Sequence, residues 1–364
     1  MIKYIGSKRT LIPSILDAIR ALGPDVHSII DLFSGTSRVG HALKSAGYQV
    51  LANDHNAYAA TLARCYVQAD ADTHGAAATK LIAELNALKG APGYFTQTFC
   101  KDSRFFQPHN GARIDAIRDA IARKSLDPEL ESILLVSLME AADRVDSTTG
   151  LQMAYLKDWA PRAHKDLELR LPDLLSRAAH GKGRAHQLDA LAAAQQLDAH
   201  AAYIDPPYNQ HSYLGNYHIW ESLVRWDKPA VYGVACKRED VRTRQSVFNS
   251  RRACSDALAN VINACRARHL IVSFNNEGFI THDDLHAMLA SQRKHITTLA
   301  FDFKRYVGAQ IGIYNPQGQK VGRIGKLRNV EYLLIASDER PTAALCALAR
   351  NHAEPILPST LAVA

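Results

Sequence analysis

Short apolar runs alternate with an amphipathic segment near the start of the chain. Residues 27–33 (H-S-I-I-D-L-F) and 48–54 (Y-Q-V-L-A-N-D) are apolar runs of strand length with polar residues at their ends. Between them, apolar residues recur at helical spacing from Val39 to Ala46, and Gly47 is a good helix stop. A strand, a helix and a strand in this order predict a βαβ unit and a parallel sheet.

The next part of the chain has a helical pattern, and the strand pattern returns only after it. From about residue 70 to residue 185 the periodicity is helical, as in 112–124 and 130–142, and no strong strand pattern intervenes. Apolar runs of strand length then follow at 201–204, 269–276, 297–305 and 329–337. The last two flank a glycine-rich stretch without a crossover helix, so they predict an antiparallel hairpin.

Composition places the chain among ordinary globular proteins. Of its 364 residues, 47% are hydrophobic and 22% charged. No run approaches the ~20 apolar residues of a membrane span, and no signal peptide is evident. The six cysteines are scattered without a C-x-x-C pair, which argues against a zinc ribbon or a disulfide framework and favours a reducing cytoplasm. A formal charge of +7 permits a polyanionic partner.

The first strand ends in D-L-F-S-G-T-S-R-V-G, residues 31–40. A small-residue turn between a strand and a helix offers backbone N–H groups and room for a nucleoside. Asp54 follows Gly35 by 19 residues at the end of the second strand, where a carboxylate can accept hydrogen bonds from ribose hydroxyls. Ser37 stands where a dinucleotide fingerprint has its second glycine, so a cofactor without a pyrophosphate is favoured. In the alternative interpretation, Gly35 only closes a turn and Asp54 only caps the next helix.

The strand at 201–204 ends in D-P-P-Y, residues 205–208. From average amino-acid composition, on the order of one chain in a thousand of this length would contain D-P-P-Y by chance. Open α/β sheets bind ligands at the carboxyl edge of their strands. Asp205 and Gly35 are therefore expected to face one crevice.

Y-I-D-P-P-Y-N together with D-L-F-S-G closely resembles the S-adenosylmethionine-dependent amino-methyltransferases that modify adenine N6 in DNA. The order of the motifs, K-Y-I-G-S-K, D-L-F-S-G, a long insertion and D-P-P-Y, is similar to that of the family's alpha class, whose insertion recognises the target. The resemblance covers roughly residues 1–70 and 185–337. It implies a Rossmann-like methyltransferase fold of α/β class, with a mixed seven-stranded sheet, the antiparallel C-terminal hairpin and a mainly helical insertion.

The resemblance also implies a role for each residue of D-P-P-Y. The adenine amine is a poor nucleophile, and Asp205 with the carbonyl of Pro206 could accept its hydrogens and stabilise the developing positive charge. Pro206 and Pro207 keep these acceptors fixed, and Tyr208 offers a face on which a flipped base can stack. The reaction needs no metal, and the sixteen histidines form no metal-ligand cluster.

Cofactor residues follow from the matched motifs one position at a time. Tyr4, Gly6 and Lys8 lie in the motif beside the methionine end of the cofactor. Asp31, Phe33 and Gly35 match the main cofactor loop, and Asp54 matches the ribose ligand. Asp189 in Q-L-D-A matches the carboxylate that binds the cofactor's adenine. A helix cap is the alternative for Asp189, and an exposed surface lysine is the interpretation that sequence alone favours for Lys8.

Two basic stretches are candidates for contact with phosphates. The first, 236–252, has six Lys/Arg and two acids. Its sequence fits contact with phosphates and a merely solvated surface equally well. The second, 304–328, has six Lys/Arg and no acid, and phosphate contact is favoured there. Its candidate residues are Lys304, Arg305, Lys320, Arg323, Lys326 and Arg328. Within the insertion, Arg144, Gln152 and Lys157 are candidate readers of bases or phosphates, with a capped loop as the alternative. Tyr217, Trp220, His211 and His218 are expected to pack rather than to catalyse.

The sequence therefore predicts a DNA adenine-N6 methyltransferase with S-adenosylmethionine as cofactor, located in the cytoplasm and associated with the nucleoid through DNA. Residues 1–70 and 185–340 form the predicted catalytic domain, 71–184 the target-recognition insertion and 341–364 a C-terminal tail. The predicted partners are double-stranded DNA and a cognate restriction endonuclease. The alternatives are methylation of cytosine N4 or of an RNA or protein amine, and a silent nucleic-acid-binding module. Related cytosine and glutamine-amide enzymes usually carry Ser or Asn at the position of Asp205, which disfavours both.

Overall fold

The computed structural model describes residues 1–304 and 328–353. Seven strands form one sheet in the order β3-β2-β1-β4-β7-β9-β8. These strands are β1 (Ser28–Asp31), β2 (Gln49–Asn53), β3 (Arg184–His186), β4 (Ala201–Ile204), β7 (His269–Asn275), β8 (His295–Lys304) and β9 (Arg328–Ser337). A separate two-stranded hairpin contains β5 (Val231–Tyr232) and β6 (Lys237–Arg238).

The strand directions agree with the expectation from sequence. Strands β3, β2, β1, β4 and β7 are parallel, whereas β9 runs antiparallel to both β7 and β8. The predicted mixed seven-stranded sheet with an antiparallel C-terminal hairpin is thus confirmed. Six strands lie where the apolar runs predicted them, but β3 was missed because it is a three-residue edge strand, R-A-H, without an apolar run.

Helices cover both faces of the sheet. On one face, α1 (Ile12–Arg20) and α2 (Arg38–Ser45) lie with the C-terminal helix α13 (Ala343–Asn351). On the other face lie α8 (Ala190–Gln196), α11 (Cys254–Ala264) and α12 (His282–Ala290). Successive residues of a strand point to opposite faces, so Ile29 packs with the first group and Ile30 with the second.

The remaining helices form a third hydrophobic cluster. They are α3 (Ala57–Ala63), α4 (Ala71–Asn86), α5 (Tyr94–Thr96), α6 (Pro108–Arg123), α7 (Pro128–Val145), α9 (Tyr213–Asn216) and α10 (His218–Arg225). Tyr58 on α3 and Trp220 on α10 are buried in one core with Leu134 and Leu138 of α7. The helices of the insertion therefore pack directly on helices that flank the sheet. The division of the chain into three segments stays a prediction.

Single turns of other helical types complete the structure. The 3-10 turns are Lys8–Thr10, Pro161–His164, Glu239–Arg242 and Val247–Asn249, and the π-helical turns are Arg64–Gln68 and Gln97–Lys101. Among residues 1–304 and 328–353, no helix combines the length and apolar character that crossing a bilayer requires.

The sheet topology fixes where a ligand can bind. From β1 the chain proceeds to β2 on one side, whereas the neighbouring strand β4 leads to β7 on the other. Such a change of direction opens a crevice between the carboxyl ends of the two strands. Asp31 ends β1 and pairs with Tyr203 of β4, so Asp31 and Asp205 both lie at this edge.

Candidate active site

A cavity of about 370 Å³ opens at the carboxyl ends of β1, β2 and β4. This volume is within the range of small-molecule sites. The cavity wall includes every residue that the sequence nominated for the cofactor: Tyr4, Gly6, Lys8, Asp31, Phe33, Gly35, Asp54 and Asp189. Asp205 and Pro207 line the same cavity. The nominated cofactor and catalytic motifs thus meet in one crevice, and the individual roles remain predictions.

The loop between β1 and α2 requires two left-handed residues. Gly35 has φ +50°, and a Cβ on it would lie 3.4 Å from the ring of Tyr4. Ser37 has φ +58°, a conformation that glycine adopts readily and serine does not. Its amide donates to the carbonyl of Ser34 at 2.6 Å. Ser37 therefore adopts the geometry that glycine favours at this place.

Asp54 joins two loops at the cavity edge. One carboxylate oxygen accepts from the amide of Gly35 at 3.1 Å, and the other accepts from the amide of Asn56, at the start of α3, at 2.9 Å. Gly35 closes a turn, as the alternative interpretation has it, whereas Asp54 bonds the residue that precedes α3 and does not cap an amide of its first turn. This arrangement does not exclude a ligand, because each carboxylate oxygen can accept a second hydrogen bond.

Asn53, which was not predicted from the sequence, forms hydrogen bonds with the segments that follow β1 and β3. Its amide nitrogen donates to the carbonyls of Leu32 and Leu188, both at 3.2 Å, and its oxygen accepts from the amide of Leu188 at 3.0 Å. The side chain is 1% exposed. A polar amide at the end of an apolar strand beside Asp54 was the available signal.

Asp189 lies at the cavity rim and caps α8. Its side chain accepts from the amide of Leu191 at 2.9 Å, which confirms the helix-cap alternative. The residue is exposed and lines the cavity, so its second oxygen can face a ligand.

Lys8 corrects the expectation of an exposed surface lysine, because its side chain is only 8% exposed. Its Nζ lies 3.3 Å from Asp205 Oδ1 and 3.0 Å from Glu331 Oε2. Burial lowers the pKa of Lys8, but Asp205 and Glu331 outweigh it, and the pKa lies well above the usual value. Glu331 was missed by sequence reasoning, although an acid within the apolar strand N-V-E-Y-L-L-I was a signal.

Two carboxyl groups of the cavity, those of Asp205 and Asp31, are less acidic than usual. Burial, with the negative charge of Glu331, raises the pKa of Asp205 to about 6, and the charge of Lys8 opposes this. Burial, with the charges of Asp205 and Asp54, raises the pKa of Asp31 to about 7. Both shifts mean that the carboxyls are protonated more readily than usual, and a cationic or amine-bearing ligand in the crevice would favour their ionised forms.

The D-P-P-Y segment is held from both sides. Pro206 is buried, and the carbonyl of Tyr208 accepts from the amide of Phe279 at 3.0 Å. The ring centre of Tyr208 lies 5.3 Å from that of Phe274. Downstream, the Asn249 amide donates to the Asn209 carbonyl at 2.7 Å. These contacts fix the loop, while the base-stacking role of Tyr208 stays a prediction.

A stack of tyrosines forms another wall. The ring of Tyr4 is stacked between Tyr213, at 5.1 Å, and Tyr217, at 4.5 Å. Tyr217 and Trp220 are each 1% exposed, which confirms that they pack. His218 is fully buried, and burial lowers its pKa to about 3. Tyr213, which also lines the cavity, is an aromatic face that sequence reasoning did not nominate.

Two arginines of the first basic stretch are engaged within the protein. Arg238 is 1% exposed and pairs with Asp227 and Asp240, each at 2.8 Å. Arg244 pairs with Glu221 at 3.0 Å and lines the cavity. These two arginines hold the segment in place instead of forming a solvated face.

The same stretch supplies part of the cavity wall. Phe248 lines the cavity and packs edge-on against Phe33, with their ring centres 5.1 Å apart. This apolar pair had been missed, because its partners are far apart in the sequence.

The residues predicted to contact DNA differ from one another in their contacts and exposure. Arg144 is half-buried and donates to the carbonyl of Glu168 at 2.6 Å. Gln152 is 3% exposed, and its side chain accepts from the amide of Ile219, so it is not available to a DNA base in this structure. Lys304 and Arg328 have their backbones in the paired strands β8 and β9. Arg305, Lys320, Arg323 and Lys326 lie outside the described residues.

Several buried polar atoms of the cavity wall have no hydrogen-bond partner among the described residues. They are Ser7 Oγ, Ser34 Oγ, Asn56 Oδ1 and one carboxylate oxygen of Asp31. Buried polar atoms are costly unless they are paired. Their concentration here favours a ligand with several hydrogen-bonding groups. Within the same described part of the chain, no group of three or more His, Cys, Asp or Glu side chains could hold a metal ion.

Comparison with known proteins agrees with this geometry. A family model described as D12 class N6 adenine-specific DNA methyltransferase matches residues 4–288. The Type II methyltransferase M.FokI of Planomicrobium okeanokoites is 31% identical over 79% of this chain and 47% of its own length. Modification methylase StsI of Streptococcus sanguinis is 30% identical over 78% and 45%. Type II methyltransferase M.NlaIII of Neisseria lactamica is 30% identical over 76% and 84%. The chain thus spans about half the length of the first two relatives and most of the third.

Proposed function

The chain belongs to the family of D12 class N6 adenine-specific DNA methyltransferases, and we propose that it methylates the N6 amine of an adenine flipped out of double-stranded DNA, with S-adenosylmethionine as the methyl donor. The observation that carries the proposal is that Asp205 shares one cavity with the nominated cofactor residues. An adenine inside a duplex cannot reach such a cavity, so the base must leave the stack.

The residues of the cavity fit the cofactor. S-adenosylmethionine has ribose hydroxyls, an adenine and a charged amino-acid group, which can satisfy the unpaired atoms of Ser7, Ser34 and Asn56. In the proposal, Asp54 binds the ribose, Asp189 binds the cofactor's adenine, and Phe33 with Phe248 provides apolar surface. When bound, the cofactor supplies an electrophilic methyl group on a sulfonium sulfur.

Asp205 acts on the substrate amine. With a pKa of about 6, its carboxyl is ionised at neutral pH and can accept an N6 hydrogen. The carbonyl of Pro206 is the proposed second acceptor. Together they orient the amine lone pair and stabilise the positive charge that develops on nitrogen. Tyr208 and Tyr213 are the proposed aromatic faces for the flipped base.

We further propose that phosphates are bound by the basic segment that begins at Lys304 and ends at Arg328, with Arg144 contributing from the insertion. Six cations without an acid in this segment support non-specific, salt-sensitive affinity for DNA. Two relatives are named Type II methyltransferases and one is named a modification methylase. On this basis we propose a role in restriction–modification, beside a cognate endonuclease.

The test is methyl transfer from labelled S-adenosylmethionine to unmethylated genomic DNA, followed by digestion to nucleosides. We expect N6-methyladenine from the wild type and from the control Asp17→Asn, whose carboxylate lies on the exposed side of α1. Asp205→Asn should lose activity by about 100-fold or more while it still binds the cofactor.

Other products would change the proposal. N4-methylcytosine would preserve the site and overturn the substrate. Cofactor binding without labelled DNA would redirect the search to RNA and protein amines. Full activity of Asp205→Asn would remove that residue from the mechanism.

A further inference from the structure

Three charged side chains from distant parts of the sequence meet beside the cavity, and two of them, Lys8 and Asp205, line it. Lys8 lies in the first 3-10 turn, Asp205 follows β4, and Glu331 is on β9. The Lys8 ammonium lies 3.0 Å from Glu331 and 3.3 Å from Asp205. The side chains of Lys8 and Glu331 are each 8% exposed, and that of Asp205 is 18% exposed. At such burial, the interaction of these charges is screened far less than at the surface.

Glu331 is held in place independently of Lys8. Its other carboxylate oxygen accepts from the Asn275 amide at 3.3 Å. Asn275 and Glu331 are directly paired residues of the adjacent strands β7 and β9. The register of the antiparallel strands therefore aims the carboxylate at Lys8.

The three groups together carry a net charge of −1 when ionised, from two carboxylates and one ammonium. A pair made of Lys8 and Asp205 alone would have a net charge of zero. In the structure Lys8 already contacts Oδ1 of Asp205, which leaves the other carboxylate oxygen for the amine. An acid that must stabilise positive charge on an amine works better when its own charge is not cancelled by a neighbouring lysine.

Resting on the function proposed above, we infer that Glu331 is a positioning residue that neutralises Lys8, so that the charge of ionised Asp205 is not cancelled by Lys8 and its second oxygen serves the substrate amine. Glu331 itself touches Lys8 and Asn275, and it acts on the reaction through Lys8. Lys8 in turn aligns the Asp205 carboxylate through its contact with Oδ1.

The charged neighbours of Asp205 determine the direction in which its pKa should change when Glu331 is replaced. On Asp205, burial and the charge of Glu331 raise the pKa, and the charge of Lys8 lowers it. Removal of the Glu331 charge should therefore lower the pKa of Asp205. The other titratable groups around this carboxyl are Asp31 on β1, Tyr203 on β4, Tyr208 in the following loop and Tyr213 on α9.

The first experiment compares Glu331→Gln with the wild type in methyl transfer at pH 8 and across pH 5–8. We expect kcat at pH 8 to fall about tenfold, with the KM for the cofactor changed less than about threefold. The acid limb of kcat should move to lower pH. Glu331→Asp, which keeps the charge, should retain more activity and an acid limb near that of the wild type.

Glu129→Gln is the matched control. Glu129, on α7, is also buried, accepts from Gln68 and pairs with a lysine, Lys182, but neither of these two partners lines the cavity. Its loss should leave the pH profile unchanged. A double-mutant cycle tests the route through Lys8: in the Lys8→Met background, Glu331→Gln should alter kcat less than about twofold.

A second measurement does not need catalysis. The carboxyl carbons of ¹³C-labelled aspartates are titrated by NMR, and the Asp205 signal is assigned by its absence from Asp205→Asn. A lower pKa of Asp205 in Glu331→Gln supports the inference even if the wild type fails to methylate DNA, which would reject only the proposed function. An unchanged pKa of Asp205, or an equal effect of Glu331→Gln with and without Lys8, overturns the inference.

Discussion

Helix α2 approaches the sheet so closely at Gly40 that one methyl group should disturb the site. A Cβ on Gly40 would lie 2.8 Å from Val67 Cγ2 and 3.2 Å from Asp31 Oδ2. Val67 is fully buried and has no space to move into, and Asp31, which is 1% exposed, can shift only towards the cavity that it lines. Gly40→Ala therefore presses on a carboxylate that lines the cavity.

The expected magnitude is the balance of two effects. Alanine in place of glycine gains at most about 1 kcal/mol of helix propensity. Overpacking a closed core costs about 1–3 kcal/mol. We expect Gly40→Ala to lower the free energy of unfolding by about 1 kcal/mol. Gly75, within α4, has no atom within 4 Å of an added Cβ, so Gly75→Ala should raise that free energy by about 0.5–1 kcal/mol.

Urea denaturation of both variants measures the two free energies, and calorimetry measures the affinity for S-adenosylmethionine. The affinity should fall several-fold in Gly40→Ala and stay unchanged in Gly75→Ala. If Gly40→Ala stabilises the protein as much as Gly75→Ala does, Val67 and Asp31 rearrange at little cost and the close-contact reasoning is refuted.

Three further predictions concern the site and its surroundings. Methyl transfer should decline as the pH falls through about 6, because protonated Asp205 loses its charge for the amine; a pH–rate profile that is flat from pH 5 to 8 would contradict this. Ser37→Gly should raise the free energy of unfolding or change it by less than about 1 kcal/mol, because the loop already has the left-handed geometry. Ser37→Val should lower the free energy of unfolding by about 1–3 kcal/mol in the same denaturation assay. A Ser37→Val variant as stable as Ser37→Gly would contradict the argument. Replacement of Lys320, Arg323 and Lys326 by Gln should weaken DNA binding and reduce the slope of log K against log salt concentration by up to about three, as measured by fluorescence anisotropy.

The sequence by itself determined the class of the fold and indicated the sheet edge at which the candidate site lies. Apolar runs of strand length and helical repeats are local properties, and they indicated six of the strands and the antiparallel hairpin. The motifs at Gly35 and Asp205 each follow a strand, so their meeting at one sheet edge follows from parallel topology alone. Strand β3 was not predicted, because three residues at the edge of a sheet are too few to show a periodic pattern.

Only the tertiary structure decided which distant side chains meet. Lys8 and Glu331 are 323 residues apart, and their contact depends on the register of β9 against β7 and on the burial of the first turn. Arg238 looked like part of a basic surface, but burial and two aspartates made it a structural ion pair. A residue's type fixes its charge, whereas its partners and its exposure to water follow from packing between segments that are far apart in the sequence.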